Sequence, residues 1–132
     1  IDDTATTGAA RGRILLVDDE AAVRSMAEHA LRRLGYEVHA AGDAQEALRL
    51  FERIAPVEAI VSDLRMPGMS GDELIRTLRA RVPGLPAILT SGHMDAAGVD
   101  LPEVGGADEI VRLHKPYRIR ALRDALTQAT GS

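Results

Sequence analysis

The sequence predicts an α/β domain, a parallel sheet covered on both faces by helices, and three observations carry that expectation. From Arg13 onward, short apolar runs alternate with longer stretches whose apolar residues recur three and four apart. Strands alternating with helices close into right-handed crossovers and a parallel sheet. Two of the runs, Ile14 to Val17 and Ala59 to Val61, are apolar at every position, which suits inner strands buried on both faces. At 132 residues the chain has the length of one domain with a single proper core.

The elements follow in order. Residues 1–12, IDDTATTGAARG, are small, polar and without period, so they read as a linker or disordered tail ahead of a domain over 13–130. Strands are expected at Ile14 to Val17, Glu37 to Ala41, Ala59 to Ser62, Ala87 to Thr90 and Ile110 to Leu113. Val23, Met26, Ala27, Ala30, Leu31 and Leu34 form the apolar face of a first helix, stopped by Gly35. A second face, Ala44, Ala47, Leu48, Phe51 and Ile54, follows Asp43, whose carboxylate suits an N-cap. Leu74, Ile75, Leu78 and Val82 make a third, and Ile119, Leu122, Leu126 and Ala129 a last. Between them, Met94 to Gly106 is broken by Gly98, Pro102, Gly105 and Gly106 and predicts only a weak or irregular helix.

Composition narrows the function. A net charge of -4 argues against a nucleic-acid surface, which needs a basic patch. No apolar stretch reaches the length of a membrane span, and no signal peptide opens the chain. The absence of cysteine excludes disulfides and thiolate metal sites, which fits a reducing compartment. The four histidines show no metal-ligand spacing.

In an open α/β sheet, ligands bind beyond the carboxyl ends of the strands. The unusual polar residues fall there: Asp18 and Asp19 after the first strand, Asp63 after the third, Ser91 after the fourth and Lys115 after the fifth. Clustered carboxylates repel one another unless a cation lies among them. Mg²⁺ suits a site of few carboxylates, several waters and a phosphate. Three acids, a lysine and a hydroxyl suit phosphoryl transfer, and an aspartate can itself be the nucleophile. Asp63 is best placed for that role, because Met66-Pro67-Gly68 turns the chain away directly after it.

The motifs LLVDDE, IVSDLRMPGMSG, LTSG and HKPY, in this order, resemble the receiver domain of two-component response regulators over Arg13 to Ala129. The resemblance implies the flavodoxin-like (βα)5 fold, a five-stranded sheet of order 2-1-3-4-5. It implies that Asp63 is the phosphoacceptor, with Mg²⁺ held by Asp63, by Asp19 directly, by Asp18 chiefly through water and by the backbone carbonyl of Arg65. Ser91 and Lys115 would contact the phosphoryl oxygens, and Pro116 would follow a cis peptide bond. Ser91 stands where the family commonly has threonine and keeps the hydroxyl. Arg112 stands three residues before the lysine, where the family has an aromatic side chain that turns inward. A charged arginine there is expected to stay at the surface, near Asp108 or Glu109. The usual dimerising face then looks poorly built, and a monomer is expected.

The implied function is that of a cytoplasmic, Mg²⁺-dependent phosphorelay domain, loaded by a histidine kinase or histidine-phosphotransfer domain, with no contact to nucleic acid or membrane of its own. The wording SGHMDAAG and HKPYRIRALRDAL looks most like the C-terminal receivers of hybrid histidine kinases, which are often tethered to a membrane-bound sensor; a single-domain regulator is the alternative. Two readings from other classes stand behind these. A phosphatase using an aspartyl-phosphate intermediate would carry D-x-D on its first strand, whereas the acids here are adjacent. A degenerate docking receiver would have lost an acid or the lysine, and all are present.

Overall fold

A computed structural model of the chain describes residues 12–92 and 110–131. Its elements are β1 (Arg13–Val17), α1 (Ala21–Arg33), β2 (Glu37–Ala41), α2 (Ala44–Ile54), β3 (Ala59–Asp63), α3 (Gly71–Arg81), β4 (Ala87–Ser91), β5 (Val111–His114) and α4 (Ile119–Thr130). The five strands form one sheet in the order β2-β1-β3-β4-β5, every neighbouring pair parallel. This is the predicted doubly wound order, 2-1-3-4-5.

The continuous apolarity of the strands has a direct cause. Successive residues of a strand point to opposite faces, and here both faces are covered. Leu15, Val17 and Ile60 pack on one side with Ala47 and Phe51 of α2 and Leu74, Ile75 and Leu78 of α3. Ile14, Leu16, Val61 and Ile88 pack on the other with Ala27 and Leu31 of α1 and Leu122 and Leu126 of α4. Truncating a fully enclosed side chain such as Leu31 or Leu78 to alanine costs roughly 2–5 kcal/mol, because the close-packed surroundings leave a cavity.

The helix signals behave as their chemistry requires, with two corrections, Ile119 and Val82. Asp43 Oδ1 accepts the Glu46 N–H at 2.8 Å, the N-cap expected for α2. Gly35 ends α1 in the left-handed region at φ 103°, a conformation that carries no penalty without a Cβ. Ile119, however, is 42% exposed and Val82 39%, and Met26 is 56% exposed on the outer side of α1. Met26 lies on the shoulder of the α1 stripe, while Ile119 and Val82 sit at helix ends where the face has not yet met, or has already left, the sheet. β3 and β4 each run one residue further than expected, so Asp63 and Ser91 are the last residues of their strands. β5 begins at Val111 and ends at His114, one residue later at each end than expected. The predicted weak helix at Met94 to Gly106 and the tail at 1–11 lie outside the described residues.

Candidate functional site

β1 and β3 are neighbours in the sheet, paired Val17 with Ser62, so the residues that end them meet at one rim. There the carboxylates of Asp18, Asp19 and Asp63 each offer an oxygen, all within 4.8 Å of one another. β4 lies beside β3 and β5 beside β4, which brings Ser91 and Lys115 to the same rim; the Lys115 N–H donates to the Ser91 carbonyl at 2.8 Å. The structure therefore gathers the side chains of Asp18, Asp19, Asp63 and Lys115, and ends β4 beside them at Ser91. Arg65 follows two residues after Asp63 and is exposed.

The individual residues are held very differently. Lys115 Nζ bridges two acids, 2.9 Å from Asp18 Oδ2 and 3.2 Å from Asp63 Oδ1. Asp18 is buried, and all of its polar groups are used. Its N–H donates to the Ala41 carbonyl at 3.1 Å, Oδ1 accepts the Glu20 N–H at 2.9 Å, and its carbonyl accepts Arg24 Nη1 at 2.8 Å. Asp19 is exposed, and its carboxylate accepts no hydrogen bond among the described residues.

Burial pushes the Asp63 carboxyl up to about 6, and the negative charges of Asp18 and Asp19 push the same way against the opposing pull of Lys115. For Lys115, burial alone would favour loss of its proton, but the hydrogen bond to Asp18 and the charges of Asp63 and Asp18 raise it above the ordinary lysine value. Three carboxylates against one ammonium leave an excess of negative charge in a half-enclosed space. The donor set is all oxygen, which fits a small, hard divalent cation such as Mg²⁺ and gives a soft metal nothing to select.

Local chain geometry explains how Asp63 is presented. Leu64 N–H donates to the Thr90 carbonyl at 2.8 Å, so the chain leaving β3 stays tied to β4. The Gly71 N–H then returns to the Leu64 carbonyl at 2.8 Å, closing the loop 65–70 into a ring. Met66 fills the core beneath it, in line with a packing role. The Ser70 N–H is accepted by Glu73 Oε1 at 3.0 Å, which secures the start of α3. The Lys115–Pro116 bond is cis, as the resemblance implied. Arg112 is exposed as expected; Asp108 and Glu109 lie outside the described residues.

Sequence reasoning missed two residues. Gly71 backs directly onto Asp63, and the only signal was its place at the end of the PGMSG turn. Arg24 reaches Asp18, and nothing distinguishes it in sequence from the other arginines.

A family model described as the response regulator receiver domain matches residues 14–127. Among curated proteins, the chain is 38% identical over 127 residues to the response regulator protein FleR of Pseudomonas aeruginosa, covering 91% of this chain and 26% of that protein. It is 38% identical over 123 residues to the sensor kinase CckA of Brucella abortus, covering 91% of this chain and 13% of that protein. The chain thus spans well under half of either relative. Among solved structures, the receiver domain from the hybrid histidine kinase CckA superposes with a TM-score of 0.72 at 32% identity, covering 90% of this chain and 99% of that one. A response regulator receiver protein from Sinorhizobium medicae gives 0.76 at 26% identity, covering 95% and 97%.

Proposed function

The chain belongs to the response regulator receiver family of two-component signalling, and from that premise we propose that it accepts a phosphoryl group from a phosphohistidine onto Asp63. The observation that carries this is the bridge of Lys115 between Asp18 and Asp63 beside an exposed Asp19 that accepts no hydrogen bond among the described residues. In the transfer, the bond between phosphorus and the donor imidazole nitrogen breaks and one forms to an Asp63 carboxylate oxygen. The imidazole leaves with the electron pair and takes its proton from solvent. Asp63 must be ionised to attack, and a carboxyl titrating near 6 is largely so at neutral pH.

Asp19 and Asp63 would hold Mg²⁺, with Asp18 through water and the Arg65 carbonyl completing the set. When bound, Mg²⁺ supplies positive charge to the oxygens of the transferring group. Lys115 is already fixed within reach of Asp63 and supplies a second positive charge without reorganisation. The Ser91 hydroxyl, at the buried end of β4, is assigned to a phosphoryl oxygen.

For the parent protein, a hybrid histidine kinase is the reading favoured by the motif wording and by the similarity to the sensor kinase CckA. The equal identity to FleR favours a response regulator as the second. Cytoplasmic placement belongs to the same proposal; no helix among the described residues is long and apolar enough to cross a membrane.

The direct test is intact-mass labelling with acetyl phosphate and Mg²⁺. Wild type gains one phosphoryl mass and Asp63→Asn gains none; labelling that persists in the variant overturns the assignment. Transfer back from the labelled protein to a histidine-phosphotransfer domain supports the relay reading, and one-way loading from a sensor kinase supports the regulator.

A further inference from the structure

We propose that Arg24 is a positioning residue: by locking the peptide unit between Asp18 and Asp19 it aims the Asp19 carboxylate into the cation seat. The inference rests on the Mg²⁺ reading given above and concerns a residue outside the acid cluster itself.

Asp19 is exposed and its carboxylate accepts no hydrogen bond among the described residues, so no contact of its own there sets its direction. Its direction is inherited from the backbone. The Asp18 carbonyl and the Asp19 N–H belong to one planar peptide unit, so whatever fixes that carbonyl fixes the plane from which Asp19 departs. Arg24 Nη1 donates to this carbonyl at 2.8 Å. The Asp18 N–H is bound to Ala41 at 3.1 Å, so the chain is held on both sides of Asp18.

The arginine is itself well placed to do this. Its own N–H donates to the Glu20 carbonyl at 2.9 Å, rooting it in the first turn of α1, from which the side chain folds back over the end of β1. The guanidinium rests against Gly42, where a Cβ would come 3.3 Å from Nη1. A residue with no side chain at the end of β2 thus leaves the notch that the guanidinium occupies. The N–H of Gly42 is taken by Glu46 Oε1 at 2.8 Å, so the wall of the notch is fixed as well.

Charge and position predict opposite signs, which makes the inference decidable. A guanidinium beside three carboxylates repels an incoming cation, so removing it for its charge alone would tighten Mg²⁺ binding. If its work is to orient Asp19, removing it weakens binding, as loss of a group that orients a metal ligand does, on the order of 10-fold.

The test is an amide chemical-shift titration with MgCl₂ on wild type, Arg24→Ala, Arg24→Lys, Gly42→Ala and Asp19→Asn, with thermal unfolding and metal-free amide exchange at Asp18 alongside. Arg24→Ala is expected to bind Mg²⁺ about 10-fold more weakly and to exchange its Asp18 amide, bonded to the Ala41 carbonyl, faster before any metal is added. Arg24→Lys recovers part of the affinity, and Gly42→Ala, which crowds the guanidinium without removing it, falls between. Arg24→Ala binding as tightly as wild type, or more tightly, overturns the inference while leaving the cation seat in place. Should Arg24→Ala not fold, Arg24→Lys and Gly42→Ala at wild-type affinity overturn it equally. A wild type that binds no Mg²⁺, or an Asp19→Asn that binds as wild type does, overturns the cation reading itself and the inference with it.

Discussion

Gly71 stands so close to Asp63 that a Cβ on it would lie 2.1 Å from the Asp63 carbonyl oxygen, and 2.9 Å from Leu89 Cδ1. Both neighbours are pinned: the carbonyl belongs to a central strand, and Leu89 is enclosed in the core. A side chain here can be accommodated only by moving α3 away from the sheet or by moving Asp63. The first residue of a helix therefore sets the height of the candidate phosphoacceptor.

Gly71→Ala is expected to lose stability on the order of 1–3 kcal/mol, the usual cost of overpacking a closed site, and to label more slowly with acetyl phosphate. Thermal unfolding and intact-mass kinetics measure the two effects. A variant that matches wild type in both would show that the loop between β3 and α3 yields without disturbing Asp63.

Asp63→Asn should stabilise the metal-free protein at neutral pH. Burial raises the Asp63 carboxyl from 3.8 to about 6, so the folded state holds its proton more tightly than the unfolded state does. The stability this contributes is fully present below about pH 4 and is lost as pH rises through 6. The gap between 3.8 and about 6 is worth roughly 3 kcal/mol at most. Metal-free wild type should therefore lose stability across that window, and the asparagine variant, which has nothing to titrate, should lose less. Unfolding midpoints between pH 4 and 8 give the answer; parallel curves for the two proteins would refute it.

Much of this was legible in the sequence because it depends on period and on strand ends. Two-sided burial forces continuous apolarity in Ile14 to Val17, and a parallel sheet forces the residues that follow such runs onto one rim. That sufficed to bring Asp18, Asp19, Asp63 and Lys115 together and to end β4 beside them at Ser91. What could not be read depends on distances between segments remote in sequence. No periodicity tells that Gly71 touches a strand carbonyl or that Arg24 bends back to Asp18. Exposure at helix ends was misread for Ile119 and Val82 because a stripe of apolar residues does not say where its helix parts from the sheet.

Removing Lys115 should move the pH dependence of labelling upward. The ammonium pulls the Asp63 carboxyl down against burial and against Asp18 and Asp19. In Lys115→Met that pull is gone and both acids it bridges are left unpaired, so Asp63 is protonated to a higher pH and is a poorer nucleophile at pH 7. Acetyl phosphate labelling rates measured from pH 5 to 9 should show a midpoint displaced to higher pH and a lower rate at neutrality. A rate lowered equally at every pH would mean that Lys115 acts only on the phosphoryl group and not on Asp63.

The protein that delivers the phosphoryl group is expected to seat on α1 and the turn after Lys115. A groove of about 240 Å³ runs there between Met26, His29 and Arg33 of α1 and Tyr117 and Ile119 beyond the lysine. Met26 and Ile119 are large apolar side chains left in solvent, and together they frame an apolar strip beside the rim that carries Asp63. Ala22, one turn before Met26, is exposed as well. Tyr117 is half-buried against the core on the α1 and α4 side, so it forms the floor of the groove and not its lip. An aspartate at Met26 or at Ile119 would place a charge where a partner must exclude water, yet neither residue belongs to the acid cluster. Met26→Asp and Ile119→Asp should therefore slow transfer from a phosphorylated histidine-phosphotransfer domain by on the order of 10-fold or more, the loss of one buried apolar anchor, while labelling by acetyl phosphate stays at the wild-type rate. The small donor is the internal control, since it needs the site and not the surface. Equal loss with both donors would place the defect in the site, and no loss with either would move the docking surface elsewhere on the molecule.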